Sequence, residues 1–395
     1  MRNIERINVR RLQLEKQIVH DFKFNIEKED IYKTIETLGT VQIDTVNVVK
    51  RAHHLTLWSR LGNHDDNHLY NLAYRDKRVF EGWGHAMSYM PMKDRRFFIH
   101  ANKERAKDYV VHKGWFNRVD PELFDAVLAR IRDEGPLGSK DFEGKKSSSG
   151  WWGWKPAKRA LEALFSAGYL MVTRRDGFQR IFDLTERVLP SQVELTEPTD
   201  EERTRFFINR TLGCLGALKP SDIRTYYHHW CVKLGSTGKE IQAQLDSLVL
   251  EGEVEKLKVE GLKQPYYCLL QDLTRLEEIE NSFKFEGCRL FSYFDNLLWQ
   301  GDRVNDLFGF ERALEIYIKP EQRRFGYFTL PILYGDRFVG RLDPKLDRKN
   351  KILLVRGLWL EDGFQPDETY QDKFGKMLED FAAFNGADKI EYIKA

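Results

Sequence analysis

The sequence predicts an α+β fold of three tandem winged-helix units followed by a small C-terminal β-barrel or sheet. Three observations predict it. Helical patterns followed by two short strand candidates recur through residue 282. In the second round, a strong hairpin signal, Asp176-Gly177, joins the two strands. After residue 283 only short strands and one terminal helix follow, and a chain of 395 residues with 42% hydrophobic content can bury cores in two to four domains.

The first unit is predicted over residues 1–115 and is the least regular of the three. Its apolar spacing indicates helices, and one alternating stretch indicates a strand that is followed by an irregular loop. The expected elements are helices near 4–16, 28–38, 48–61 and 68–74, a strand over 78–83 and a loop over 84–91.

One stretch of the first unit carries the candidate chemistry. Gly39 can end the preceding helix in a left-handed cap, after which Val41 and Ile43 alternate with Gln42 and Asp44. Because side chains of an extended segment alternate, the two apolar residues can face a core while the amide and the carboxylate project together. Such a pair can hold a water, accept its proton or stabilise a nearby cation, although a solvated strand face has the same pattern.

The remaining domains follow from similar patterns. The second unit, 116–195, has a helix starting at Asp120-Pro121, a second helix over 155–167 and the hairpin, with Arg174 and Arg175 near its tip. The third unit, 196–282, has helices over 206–215 and 238–250 and a hairpin of 254–259 with 266–270. The C-terminal domain, 283–395, has strand candidates at 314–318, 326–333, 337–342 and 351–360 and a helix over 368–384.

Composition excludes several classes of protein. The N-terminus has no apolar run, so neither a secretory signal nor a membrane span is predicted, and we expect a cytoplasmic location. Four cysteines lie far apart without a C-x-x-C pair, which argues against a disulfide framework or a zinc site. Residues 1–190 hold 34 basic and 26 acidic residues, whereas the rest holds 29 and 35. The basic front half favours a polyanionic partner, with chance imbalance as the alternative.

Longer motifs then point to a family. The stretch from Gln42 to His54, with Leu57-Trp58-Ser59-Arg60-Leu61-Gly62, resembles the bacterial winged-helix DNA glycosylases that unhook interstrand crosslinks, the YcaQ (AlkX) and AlkZ family. Further similar motifs run through nearly the whole chain: Trp83-Gly84-His85-Ala86-Met87-Ser88, Phe294-Asp295, Asp302-Arg303, Leu307-Phe308-Gly309-Phe310, Arg323-Arg324-Phe325-Gly326-Tyr327-Phe328, Leu330-Pro331-Ile332-Leu333 and Gly340-Arg341-Leu342-Asp343-Pro344-Lys345. AlkZ-like members carry Gln-x-Gln at the catalytic pair, whereas Gln42 and Asp44 look like the YcaQ branch.

The resemblance implies hydrolysis of the N-glycosidic bond of N7-alkylated guanine, in crosslinks and monoadducts of double-stranded DNA. Alkylation at N7 makes the base a good leaving group, so the remaining burden is the positive charge that develops on the sugar. Asp44 is the expected electrostatic partner of that charge, the general base for water, or both. Gln42 is expected to orient the water or to hydrogen-bond near the sugar.

Other residues are candidates for DNA contact, each with a structural alternative. Solvated surface charge is the alternative for the basic side chains, and local hydrogen bonding is the alternative for the loop residues. These candidates are Lys50, Arg51, His53, His54, Arg60, His85, Ser88, Arg174 and Arg175. Neighbouring histidines of a helix point about 100° apart, so His53 and His54 are not expected to hold a metal together. We expect no cofactor, no metal and a monomer.

Two other functions fit a winged-helix protein. A non-catalytic transcriptional regulator would place a base-reading helix in the major groove and show sequence preference without bond cleavage. A scaffold in a repair assembly would bind DNA with neither base release nor sequence preference. Release of base from DNA containing N7-methylguanine separates the enzyme from both.

Overall fold

The computed structural model describes residues 1–22, 25–110, 121–142, 156–227 and 238–393, and it is a mixed α and β protein. The α-helices of this part of the chain are α1 (Arg6–Lys16), α2 (Lys28–Leu38), α3 (Ala52–Leu61), α4 (Asp66–Tyr70), α5 (Ile99–Val110), α6 (Pro121–Glu134), α7 (Pro156–Ser166), α8 (Thr185–Val188), α9 (Asp200–Leu215), α10 (Pro220–Tyr226), α11 (Gly238–Leu250), α12 (Leu273–Glu278), α13 (Gly301–Phe308) and α14 (Glu368–Phe384). The strands are β1 (Arg2–Ile4), β2 (Val41–Gln42), β3 (Val79–Trp83), β4 (Met87–Pro91), β5 (Leu137–Gly138), β6 (Leu170–Asp176), β7 (Gln179–Leu184), β8 (Ala217–Leu218), β9 (Val254–Val259), β10 (Tyr266–Leu269), β11 (Cys288–Leu290), β12 (Leu330–Tyr334), β13 (Arg337–Asp347), β14 (Ile352–Leu360) and β15 (Lys389–Tyr392). Among the described residues, no helix has the length and apolar character needed to cross a bilayer.

The first sheet has the strand order β2-β4-β3. Its middle strand corrects the prediction of an irregular loop over 84–91, because Met87–Pro91 pairs with both neighbours. Tyr89 and Met90 are both buried, one in the core beneath α2 and the other against the third unit. A strand buried on both faces loses the alternation of apolar and polar residues by which the sequence would reveal it.

The second sheet has the order β5-β7-β6 and includes the predicted hairpin. Asp176 pairs with Gln179, and Gly177 between them has a φ of +61°, which suits a tight turn that favours glycine. Helices α6 and α7 pack over this sheet through a continuous apolar core. The boundary predicted between residues 115 and 116 lies outside the described residues.

The third sheet has the order β1-β9-β10-β8, so the N-terminus joins a unit more than 200 residues further along the chain. The apolar face of α1, which includes Val9, Leu12 and Leu14, packs in one core with Leu257 and Tyr266. The prediction of 1–115 as one unit is therefore wrong for residues 2–16. Burial of the α1 face against the third unit outweighs sequence proximity.

The C-terminal domain has a five-stranded sheet in the order β11-β12-β13-β14-β15, whose last pair is parallel. Helix α14 covers it, with Phe374, Met377 and Phe381 in the shared core. The strand predicted at 314–318 is a loop instead. The Glu315 carboxylate accepts hydrogen bonds from backbone N–H groups at 324–326, which folds this segment on itself rather than into the sheet.

Candidate active site

The segment from Val41 to Val49 leaves the first sheet and runs to the C-terminal domain. Helix α2 ends at Gly39, whose φ of +69° is the predicted left-handed cap. Val41 then pairs with Tyr89 and Gln42 with Ser88, and the Ile43 N–H donates to the Met87 carbonyl at 2.7 Å. Val41 and Ile43 pack in the core beneath α2, as predicted. Gln42 and Asp44 therefore belong to the other side of the ribbon.

Two other domains hold the beginning of this segment. The Asn296 side-chain amide donates to the Thr40 carbonyl and to the Tyr226 hydroxyl, both at 2.7 Å. The Tyr226 hydroxyl in turn donates to the Leu38 carbonyl at 2.7 Å. The third unit and the C-terminal domain thus fix the backbone immediately before Gln42.

The C-terminal domain also holds the end of the segment. The Leu346 N–H donates to the Val48 carbonyl at 3.0 Å, and the Lys50 N–H donates to Asn385 Oδ1 at 2.7 Å. Arg348, in the turn between β13 and β14, donates to the Asn47 carbonyl, to Asn47 Oδ1 and to the Val49 carbonyl at 2.8, 3.0 and 3.2 Å. A site supported on both sides in this way is preorganised.

Asp44 is a half-buried carboxylate without a cation pair among the described residues. Its Oδ1 accepts the Val46 N–H at 2.8 Å. Burial raises the pKa of Asp44 above its usual value, and the weaker effect of the Val46 and Thr45 backbone N–H groups does not cancel this. Such a poorly hydrated carboxylate can accept a proton or face a developing positive charge.

Gln42 is more deeply buried than a residue that projects into solvent. Its residue is only 8% exposed, and its side-chain amide makes no hydrogen bond to any other described residue. Because an amide withdrawn from bulk water needs partners, this group is available to a bound water or substrate.

Two of the predicted DNA-contacting arginines are instead buried ion pairs. Arg60 is 0% exposed; its guanidinium binds both oxygens of Asp295 and donates to the Gln17 carbonyl at 3.1 Å. Arg175 forms a bidentate pair with Glu81 at 2.6 and 2.7 Å. The prediction of phosphate contact is therefore wrong for both residues, because their donors are already used inside the protein.

Three further candidates are packed within the protein. The Ser88 hydroxyl is fully buried and donates to the Ala86 carbonyl at 3.1 Å. The His53 ring is buried and stacks on Phe178 at 6.3 Å, and burial holds the pKa of His53 well below its usual value. His85 stacks on Trp299 at 4.2 Å, and its Nδ1 lies 2.9 Å from the Thr225 carbonyl. Burial contradicts the predicted DNA contact of Ser88 and of His53. His85 is only half-buried and contacts the third unit and the C-terminal domain, so its DNA contact stays a prediction.

The remaining basic candidates reach the surface. The Arg51 guanidinium lies 4.1 Å above the Phe178 ring and has no carboxylate partner among the described residues; burial, then Arg175 and Arg348, lower the pKa of Arg51. The Arg174 side chain is 43% exposed, and its Nε lies 3.2 Å from Asp176. Lys50 is partly exposed and binds both Asp66 oxygens at 2.7 and 2.8 Å.

A cluster of possible metal ligands lies beside Lys50. Donor atoms of His54, His64 and Asp66 lie within 4.8 Å of one another, and burial lowers the pKa of His54 to about 4, which keeps its ring neutral. The His54 Nδ1 is 3.2 Å from Asp66. The ammonium of Lys50 already occupies the carboxylate, so a cation would have to displace it. This arrangement favours an internal ion pair over a metal site.

A cleft opens next to the segment, between the first and second sheets. Its volume is about 720 Å³, and its walls include Ile43 and Thr45 on one side and Phe178 and Arg180 on the other. Lys140 and Lys158 also line it. The groove therefore borders the side of the ribbon that carries Ile43 and Thr45, and neither Gln42 nor Asp44 is among the described residues that line it.

The sequence interpretation missed two residues near this segment. Arg348 holds Asn47 and Val49, and Tyr317 lies close enough for the Asp44 charge to raise the pKa of its hydroxyl, after the larger effect of partial burial. Residues 347–350 lie between two strand candidates, and nothing in this polar run indicates the contact of Arg348 with Asn47. Tyr317 fell in the segment predicted as a strand.

Comparisons with known proteins identify a family and a similar fold. Residues 35–384 match the sequence model of a family described as "DNA glycosylase AlkZ-like". The fold is similar to that of Streptomyces sahachiroi DNA glycosylase AlkZ, with a TM-score of 0.67, 15% sequence identity and coverage of 100% of both chains.

Proposed function

The chain belongs to the AlkZ-like DNA glycosylase family, and from this premise we propose that it hydrolyses the N-glycosidic bond of N7-alkylated guanine in duplex DNA, in crosslinks as well as monoadducts. A DNA repair glycosylase is an enzyme, so the family decides against the non-catalytic regulator and the scaffold. The substrate class is the part that the family description leaves open.

The half-buried carboxylate of Asp44, which has no cation partner in the described part of the chain, carries the proposal. N7-alkylated guanine already has a positive charge and leaves readily, so the reaction does not require strong protonation of the base. What remains is the cationic charge on the sugar as the bond to C1′ breaks. A fixed carboxylate in a poorly hydrated site stabilises that charge more strongly than it would in water.

Asp44 and Gln42 divide the work according to their chemistry. The raised pKa of Asp44 makes its carboxylate a better proton acceptor for the attacking water than that of an ordinary aspartate. The Gln42 amide, with no partner among the described residues, orients that water or binds beside the sugar. From the Gln-x-Asp pair we also propose that the chain belongs to the YcaQ-like branch of the family.

The DNA-binding surface is proposed to combine winged-helix units with the face of the Val41–Val49 segment that carries Asp44. Arg51 and Arg174 are the proposed phosphate-contacting groups, because both side chains reach the surface. Lys50 and His54 are proposed to lie at the edge of this surface, where both side chains contact Asp66. A guanine joined to the opposite strand cannot swing freely into a deep pocket. An open surface at Asp44 suits it because the lesion stays within the duplex while C1′ approaches the carboxylate.

Asp44→Asn is the sharpest test, since it keeps the shape and the acceptor of the Val46 N–H but removes the charge. We expect release of N7-methylguanine from a duplex to fall by about 10² or more in a single-turnover assay, with DNA affinity retained. Asp133→Asn, which removes an equal charge from an exposed position on α6, is the matched control and should release base at the wild-type rate.

Two outcomes would refute parts of the proposal, and a second substrate tests the remaining part. Wild-type protein that binds the duplex without releasing base would refute the proposed substrate. Equal rates for the wild type and Asp44→Asn would refute the role of the carboxylate. A duplex with a single N7-linked crosslink, assayed in the same way for strand separation, tests the crosslink part of the proposal.

A further inference from the structure

One aromatic side chain is exposed beside the candidate active site. Tyr317 lies in the loop between α13 and β12 and is 79% exposed, more than any other aromatic residue in the described ranges. Exposure alone does not single out Tyr317, since Tyr392 in the same domain is 62% exposed; what distinguishes Tyr317 is its place close to Asp44.

The backbone around Tyr317 is tightly fixed. The Ile318 N–H donates to the Glu315 carbonyl at 3.0 Å, and Arg323 Nε donates to the Ile318 carbonyl at 2.8 Å. The buried Glu315 carboxylate accepts the N–H groups of three residues, 324–326, at 2.8 to 3.0 Å. Burial alone would raise the pKa of Glu315, but these hydrogen bonds outweigh it and lower the pKa. The ring is therefore exposed on a rigid support.

The loop and the segment that carries Asp44 pack against the same core of the C-terminal domain. Ile316 contacts that core from the loop, and Val46 and Val48, two and four residues after Asp44, contact it from the segment. The effect of the Asp44 charge on the pKa of Tyr317 agrees with this proximity. The C-terminal domain thus contributes a side chain to a site whose carboxylate comes from the first unit.

We propose that Tyr317 is a DNA-binding residue of the glycosylase site, whose ring stacks on a base next to the nucleotide held at Asp44. This inference rests on the proposed function, because it takes duplex DNA at Asp44 as the ligand. Every base offers a π-face, so one exposed ring can support the damaged region of the duplex whatever the sequence. The contact holds the distorted base pair while C1′ faces the carboxylate.

The test compares Tyr317→Ala and Tyr317→Phe in an Asp44→Asn background, in which the substrate stays intact. Affinity for a duplex containing N7-methylguanine is measured by fluorescence anisotropy. We expect Ala to weaken binding about five- to hundredfold and Phe to leave it within about twofold, because stacking needs the ring and not the hydroxyl. Tyr392→Ala, which removes another exposed aromatic ring from β15, is the matched control and should bind as its parent does.

Unchanged binding by Tyr317→Ala would overturn the inference. An equal loss for Phe and Ala would overturn it too, since the hydroxyl would then be the essential group. A concentration-dependent dimer that only Tyr317→Ala dissociates would assign the ring to a second copy of the chain and not to DNA. Binding does not depend on base release, so failure of the proposed catalysis, detected with wild-type protein, is distinguishable from failure of this contact.

Discussion

At the scale of single residues, the properties that suit Asp44 to catalysis oppose folding. Its carboxylate loses water in the folded protein and gains only backbone N–H groups, with no cation partner among the described residues. Groups that lower stability in this way are common at functional sites, where the surrounding structure holds them in place. Here the enforcing contacts are those of Asn296, Arg348 and Asn385 with the flanking backbone.

We predict that Asp44→Asn is more stable than the wild type at pH 7, by up to about 1 kcal/mol. Since the folded-state pKa of Asp44 is raised, the folded protein binds the proton more tightly than the unfolded chain does. The wild type therefore recovers stability as the pH falls through the raised pKa, and the advantage of Asn shrinks towards pH 4. Urea midpoints of both proteins at several pH values measure it, and a difference independent of pH would contradict the electrostatic cause.

Arg174 and Arg175 show how far a sequence can go at this scale. The hairpin was predictable, because Asp176-Gly177 encodes the turn and alternation encodes the strands. Adjacent residues of a strand point to opposite faces, so only one of the two arginines can lie on the outer face. Which one is buried depends on Glu81, which is distant in sequence, and no local pattern contains that information.

At the scale of elements, the regular helices and hairpins were predictable and the contacts between them were not. Helix α11 ends at Leu250, as predicted, because its apolar stripe is a local signal. Strand β4 was missed because it is buried on both sides. The loop around Glu315 was predicted as a strand because its apolar residues alternate, but in the structure Leu314 and Ile316 pack against the core from a loop. Gln42 and Asp44 were identified from local alternation, but Tyr317 was not, since its place depends on packing between domains.

The turn between β13 and β14 gives an element-scale prediction. Arg348→Ala should lower kcat about ten- to hundredfold with KM changed by about twofold at most, because it frees the backbone after Asp44 without removing a reacting group. Lys349→Ala, in the same turn, removes an exposed charge that makes no side-chain contact among the described residues, and it should retain kcat. A different result would contradict this role. If both variants raised KM equally above the wild-type value, and if this difference from the wild type disappeared at high salt, Arg348 would instead be a phosphate ligand.

At the scale of the whole molecule, the site depends on elements from opposite ends of the sequence. Strand β1 joins the third sheet, and α1 brings Gln17 close to α3 and the C-terminal domain. These long-range pairings join the first unit, the third unit and the C-terminal domain, and the last two of these hold the segment that carries Asp44. They were unpredictable from sequence because a three-residue strand and a buried ion pair leave no periodic pattern.

The buried pair of Arg60 and Asp295 connects these parts, and its loss should be felt throughout the fold. We predict that Arg60→Ala lowers the free energy of unfolding by about 3–5 kcal/mol, since it leaves the Asp295 carboxylate buried without its cation. Arg324→Ala breaks an exposed arginine pair with Glu311 and should cost less than about 1 kcal/mol. Urea denaturation measures both.

The same pair decides between two roles for Arg60. Replacing both partners in Arg60→Met/Asp295→Leu should cost less than the sum of the single substitutions, because neither charge is then left alone in the core. DNA affinity, measured where each variant is still folded, should stay near the wild-type value. If Arg60→Ala instead kept the wild-type urea midpoint and lost affinity for DNA in a salt-dependent manner, the arginine would be a phosphate ligand in solution and the buried arrangement of the first unit against the C-terminal domain would be wrong.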